Sequence, residues 1–221
     1  LNPAPLLSVK LIHHYGGDET PIQAARVSTL TPSDPERDLK LARYLLAHAH
    51  TSPFEHLGAS FEIACPLFVR SQIMRHRTFS YNEISRRYTS DDLGYYLPET
   101  LHPQHTKALQ CSEESTPHPE QERLKRLMKN ALDNALSTYH ELIESGVSRE
   151  QARGILPLNL MTLFWMSGNL LNWLRFLKLR LDPHSQKETR LIAQGIHTHL
   201  TSLFPQTMSL ADELMLGGTT E

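Results

Sequence analysis

The sequence predicts an α+β fold: a small, mainly antiparallel sheet flanked by several helices, in a single domain spanning residues 1–221. Three observations lead there. Three segments rich in branched and aromatic side chains read as strands, and they are not consecutive in the chain. Amphipathic or capped stretches between them read as helices. Neither G-x-G-x-x-G nor G-x-x-x-x-G-K occurs anywhere, which disfavours the Rossmann and P-loop classes of α/β enzyme.

Leu6 to His13 (LLSVKLIH) is the first expected strand, closed by Gly16-Gly17-Asp18. Pro21 to Val27 suits a short helix, and a turn-rich patch follows from Thr29 to Pro35. Glu36 to Ala49 sets Leu39, Leu41, Leu45 and Leu46 among charges, as an amphipathic helix does, before Pro53 interrupts. Leu57 to Cys65 (LGASFEIAC) is the second strand. Pro66 suits the start of a helix from Leu67 to His76, because its missing N–H costs nothing at a first helical position. Thr78 to Asn82 is turn-like.

Leu101 to Gln121 carries three prolines, three histidines and few large apolar groups, and reads as an exposed excursion. A long helix is expected from Gln121 to Ser145, ending at Gly146, with a further turn or two over Glu150 to Gly154. Leu160 to Trp165 is the third strand. Gly168 to Leu181 reads as a helix with Leu170, Leu171, Leu174 and Leu177 on its apolar side. Asp182-Pro183 then supplies a cap and a first-position proline for a last helix to about Leu203.

Composition narrows the function classes. Hydrophobic residues at 39% and charged residues at 21% suit a globular chain. A net charge of −2 argues against a general nucleic-acid coat, so any anion site must come from local arginine clustering. The two cysteines, Cys65 in an apolar run and Cys111 in a polar one, suggest no disulfide framework. No run approaches the ~18 apolar residues of a membrane span, and no signal-peptide pattern opens the chain; a cytoplasmic location is expected.

Chemistry concentrates in Gln72 to Tyr88 (QIMRHRTFSYNEISRRY), where Arg75, Arg77, Arg86 and Arg87 crowd around His76, Asn82, Glu83 and Ser85. On a helix, Gln72, Arg75 and His76 would share a face. Arginine forks bind phosphate bidentately and stay charged at any working pH, and a serine hydroxyl beside them completes a sensible anion site. Glu83 would balance charge or accept from a ribose or base. The plain alternative is a surface salt-bridge network without chemistry. Asn82, Ser85 and Tyr88 at fixed offsets go beyond what such a network needs.

Arg75-His76-Arg77 followed by Ser80, Asn82, Glu83, Ser85, Arg87 and Tyr88 resembles the signature of the flavin-dependent thymidylate synthases. Ala24 to Ser28, His50 to His56, Ala152 to Pro157 and the stretch from Gly168 through Arg180 to His184 also resemble segments of that family. The likeness covers about residues 20 to 190, weakest over 101–121.

The resemblance implies a homotetramer that makes dTMP from dUMP, with methylenetetrahydrofolate as one-carbon donor, FAD as hydride carrier and NADPH as reductant. It implies that Gln72, Arg75, Glu83, Ser85, Arg86, Arg87, Arg153 and Arg180 contact the nucleotide. It implies that Ser28, His50, Ser52, Glu55, Arg75, His76, Arg77, Asn82, Glu83, Asn169, Arg175 and His184 lie on or near FAD. Arg180 is the group expected to stabilise charge on the uracil carbonyls, and Ser85 reads as a phosphate ligand rather than a nucleophile. One departure stands out: the family's arginine two residues after the position of Asn169 is Leu171 here, with Arg175 one helical turn on as a substitute. A related enzyme type methylates UMP.

Three rival classes compete with this reading. Metal binding would rest on His13-His14, His48/His50, His102/His105 and His197/His199. A His-x-His pair on a helix points its rings about 200° apart, and no Cys or carboxylate sits at zinc-ligand spacing. Nucleic-acid binding would use the arginine cluster with Phe79, Tyr81 and Tyr88 as stacking platforms, against the acidic net charge. A non-catalytic nucleotide sensor would rest on Leu171 alone. Trp165 and Trp173 read as core or interface residues.

Overall fold

A computed structural model describes residues 7–32, 34–90 and 94–217. Its strands are β1 (Ser8–Tyr15), β2 (Gly58–Pro66), β3 (Ser80–Glu83) and β4 (Met161–Asn169), and its α-helices are α1 (Thr20–Arg26), α2 (Pro35–Ala47), α3 (Leu67–Ile73), α4 (Gln121–Glu144), α5 (Arg149–Ala152), α6 (Leu170–Arg180), α7 (Lys187–Leu203) and α8 (Pro205–Ala211). The strands form one sheet in the order β1-β2-β4-β3, so the α+β expectation stands. Leu170 N–H bonds to Leu57 O at 2.7 Å and Leu67 N–H to Leu160 O at 3.0 Å, so residue numbers fall on β4 as they rise on β2. That is the antiparallel arrangement.

Several boundaries differ from expectation, for identifiable reasons. Leu6, expected in the first strand, lies outside the described residues. The turn expected over Thr78 to Asn82 gives way to β3, because Ser80–Glu83 finds a ladder along β4 that its polar sequence does not advertise. Helix α3 stops at Ile73, not His76, with Met74 N–H closing onto Arg70 O at 2.9 Å. Arg75 and His76 therefore leave the helix and do not share its face with Gln72.

The third strand runs on through Asn169 before α6 begins, and Asn169 caps that helix by accepting from Asn172 N–H at 3.0 Å. Asp182 and Pro183 do not open the last helix, which starts at Lys187. Asp182 instead accepts from the backbone N–H of His184 at 2.7 Å, and Arg190 donates to Pro183 O and Ser185 O at 2.8 and 2.9 Å. These bonds hold a turn where a helix start was expected. Pro205 then opens α8, a helix beyond the last one expected from the sequence.

The described chain gathers into two compact units. The first comprises 7–8, 64–75 and the described residues of 83–164. Its core packs Leu136, Tyr139, Ala152 and Leu160 against Leu67, Tyr95, Leu142 and Leu156. The amphipathic stripe of α4 supplies Leu132, Leu136 and Tyr139, and Gly146 (φ 86) lets the chain turn sharply after that helix. The 101–121 excursion is mostly exposed. It is tied by His118 N–H to Leu101 O at 2.7 Å and by a bridge between Gln104 and Ser112.

The second unit comprises 9–63, 76–82 and 165 onward. Its centre is aromatic: Trp173 packs against Phe61 and Phe79 with ring centroids 5.0 and 4.5 Å apart. Full burial of the indole is tolerated because its N–H reaches Ala59 O at 3.1 Å and Gly168 O at 3.0 Å. Trp165, by contrast, is about half exposed and donates to Glu62 at 3.0 Å.

Candidate active site

The first unit holds a cavity of about 340 Å³, within the range of small-ligand pockets. Glu83, Ser85, Arg86 and Arg153 line it together with Arg70 and Thr162, and Leu67, Leu156 and Met161 give it an apolar wall. Its polar edge forms where β3 ends. Ile84 N–H extends the ladder by bonding Leu163 O at 3.0 Å, then the chain turns, with Tyr88 N–H on Ser85 O at 3.0 Å. That turn leaves Ser85 and Arg86 at the cavity. Arg153 comes from the single 3-10 turn after α5, which buried Ala152 anchors to the core.

Among the described residues, three guanidinium groups and one carboxylate line this cavity. Arg70 Nε stands 3.1 Å from Glu83 Oε1, a charge contact without the alignment of a hydrogen bond. The directed bond to that same oxygen comes from Thr162 Oγ1, at 2.7 Å. Beneath them Cys65 is fully buried. Burial, and then the negative charge of Glu83, push its thiol up to about 12. Such a thiol is inert as a nucleophile.

The second unit brings together Arg180 and His76. Arg180 Nε donates to His76 Nε2 at 3.0 Å, and the imidazole lies edge-on to Phe176 with centroids 4.8 Å apart. Burial, then the charge of Arg180, lower His76 from 6.5 to about 4. Burial also lowers Arg180. Tyr81 donates to His76 O at 2.7 Å, and burial pushes its phenol up to about 12.

The remaining expected residues are distributed as follows. Gln72 is half-buried on α3, while Arg75, Arg77 and Asn82 are exposed. Arg87 is exposed in an ion pair with Glu150 at 3.4 Å, the plain surface role the arginine cluster also allowed. His50, Ser52 and Glu55 are exposed around the 3-10 turn Ser52–Glu55, which follows Ala49 in the left-handed region (φ 56). Ser28 is exposed, its hydroxyl on Ala25 O at 2.8 Å. Leu171 is buried and Arg175 exposed, so the two do not occupy equivalent surroundings. His184 is exposed and pairs with Asp182 at 3.0 Å.

Sequence reading missed Arg70 and Thr162. The available signals were a charge at the end of the apolar run LFVR and a hydroxyl inside the apolar strand MTLFWM. Of the histidine pairs, His197 is taken up by Asp212 at 2.7 Å and His199 by Val9 O at 3.3 Å. Among the described residues no cluster of three or more His, Cys, Asp or Glu could hold a metal ion. No described helix is long and apolar enough to cross a membrane.

An α+β chain with a cationic cavity of this size is suited to a small anionic ligand, and comparison with known proteins agrees with that class. The family model for thymidylate synthase complementing protein matches residues 10–206. The flavin-dependent thymidylate synthase of Thermus thermophilus is 39% identical over 211 residues, covering 95% of this chain and 77% of the relative. That of Thermotoga neapolitana is 37% identical over 189 residues, covering 85% and 82%. The UMP/dUMP methylase PolB from Streptomyces cacaoi, solved with 5-Br dUMP, superposes with a TM-score of 0.88 at 27% identity, covering 100% of both chains. The chain belongs to the thymidylate synthase complementing protein family, the flavin-dependent thymidylate synthases.

Proposed function

We propose that this protein methylates dUMP at C5 to give dTMP, taking a one-carbon unit from methylenetetrahydrofolate, with FAD as hydride carrier and NADPH as reductant. The cavity of the first unit carries this reading. Arg86, Arg153 and the Ser85 hydroxyl suit a phosphate, and the apolar wall suits the flat face of a pyrimidine. Gln72, Arg75 and Arg87 join them as nucleotide contacts, and Glu83 accepts from the ribose or the base.

Uracil is a weak nucleophile at C5, so a fixed cation at its carbonyls is the largest aid the protein can give. Arg180 takes that role. His76 is neutral at neutral pH and holds the guanidinium in one orientation. In this reading residues 1–221 act as one domain, and four copies assemble so that Arg180 of one copy completes the site of another. With Cys65 inert and no cysteine among the residues that line the cavity, catalysis in this reading uses no thiolate nucleophile.

Ser28, His50, Ser52, Glu55, Arg75, His76, Arg77, Asn82, Glu83, Asn169, Arg175 and His184 would hold FAD. The donor set fits: exposed hydroxyl, imidazole and guanidinium groups suit the polar chain and diphosphate of a flavin nucleotide. The flavin, when bound, supplies the hydride chemistry, and the protein orients it. Buried Leu171 offers no cation at the family's arginine position, so Arg175 carries that charge from the exposed side of α6.

A second reading, methylation of UMP, is favoured by the likeness to the UMP/dUMP methylase PolB. An absorption spectrum of the purified protein tests the cofactor: bands near ~450 nm that bleach with NADPH support it. Tritium release from C5-labelled dUMP and UMP then tests the reaction and the sugar preference. A colourless protein that takes up no FAD and releases no tritium overturns the proposal.

A further inference from the structure

We infer that Thr162 and Arg70 are positioning residues that hold the Glu83 carboxylate with one oxygen turned to the protein and the other presented to a nucleotide in the cavity. The inference rests on the nucleotide reading of that cavity and adds two residues that no motif position supplied.

The geometry is asymmetric. Both contacts to the Glu83 carboxylate among the described residues fall on Oε1: the Thr162 hydroxyl at 2.7 Å and Arg70 Nε at 3.1 Å. Arg70 approaches without hydrogen-bond alignment, so it supplies charge, whereas Thr162 supplies direction. Oε2 is left to accept from a donor on a ligand, a base N–H or a sugar O–H. A carboxylate has no donor of its own, so it discriminates in favour of ligands that bring one.

The backbone makes this arrangement durable. Ile84 N–H on Leu163 O at 3.0 Å fixes the register of the β3 end against β4. In that register Thr162 lies diagonal to Glu83 on the same face of the sheet, close enough for side chains to meet. Thr162 is 5% exposed, and a buried hydroxyl with a charged acceptor has little reason to turn elsewhere. Arg70 comes from the last turns of α3, on another wall of the same cavity. An unheld glutamate would swing toward the nearest cation; held by two groups, its orientation is set before a ligand arrives.

The experiment uses the full chain loaded with FAD, and measures the affinity of dUMP together with inhibition by inorganic phosphate. Thr162→Val removes the hydroxyl at nearly constant shape. It is expected to weaken dUMP about tenfold, the worth of one charge-assisted bond, while inhibition by phosphate changes less than about twofold. Thr162→Ser restores dUMP binding. Arg70→Gln, should Thr162→Val fold poorly, gives the same divergence between the two ligands.

Equal loss of dUMP and phosphate would mean that the cavity has merely been damaged, and overturns the inference. So does unchanged dUMP affinity in Thr162→Val. Failure of the unsubstituted protein to bind dUMP would instead sink the nucleotide reading itself, and this inference with it.

Discussion

Arg180 donates from Nε to the Nε2 of His76 at 3.0 Å, so the imidazole carries its own proton on Nδ1 and stands neutral. Two charges cannot share so close a contact. The partial burial of the ring and the adjacent guanidinium both oppose protonation, which is why His76 falls to about 4.

A pH dependence follows. Between about pH 4 and 6.5 the unfolded chain binds a proton at this residue that the folded chain refuses. The contribution of neutral His76 to stability is therefore fully present above 6.5 and is lost as pH falls through 4. Urea midpoints for the native sequence should drop across that window, and His76→Gln should flatten the drop. A midpoint profile that is the same in both proteins would refute the assignment.

Arg180→Ala tests the role proposed for the guanidinium. Removing a fixed charge from a water-poor site costs about a hundredfold or more in turnover, while FAD content stays near that of the native protein. Turnover and flavin occupancy, measured on one preparation, decide it. Parallel loss of both would make Arg180 a cofactor ligand instead.

Ser85 is read as a phosphate ligand, so Ser85→Ala should raise the KM for the nucleotide about tenfold and leave measurable turnover. Complete inactivity with normal dUMP affinity would point to covalent chemistry at the hydroxyl.

Gly168 illustrates a constraint set by packing alone. A methyl group there would run into the ring of Phe79, which is itself locked against Trp173 with centroids 4.5 Å apart. Gly168→Ala should cost about 1–3 kcal/mol, as overpacking does. Gly154, where an added carbon meets nothing within 4 Å, serves as the control. Its alanine variant should stay within about 0.5 kcal/mol. Chemical denaturation measures both.

Much of the architecture was legible in the chain because its signals are local. The branched run LGASFEIAC, the leucine stripe of α2 and the glycine after α4 each act on their own neighbourhood, and each produced the element it announced. The end of α3 carries no such signal. No glycine or proline stands between Ile73 and His76, so nothing in the sequence marks where the helix begun at Pro66 stops.

Strand β3 shows the same limit from the other side. Ser-Tyr-Asn-Glu has no hydrophobic alternation to read, and its strand state comes from the ladder along β4. That ladder also brings Glu83 to Thr162, a contact separated by 79 positions that no spacing rule could suggest. Asp182 fits the pattern as well: a good capping residue by type, it was claimed by a turn that Arg190 holds closed.

The chain by itself determined the α+β class, the family and the arginine-rich segment in which chemistry would lie, because composition, periodicity and motif spacing are properties of the residues in order. Tertiary structure decided which of those residues share a cavity, that Arg70 and Thr162 join Glu83 there, and that His76 is neutral beside Arg180. The reason is physical. Burial, charge proximity and hydrogen-bond direction depend on groups distant in the chain, and only the folded backbone fixes the distances on which they act.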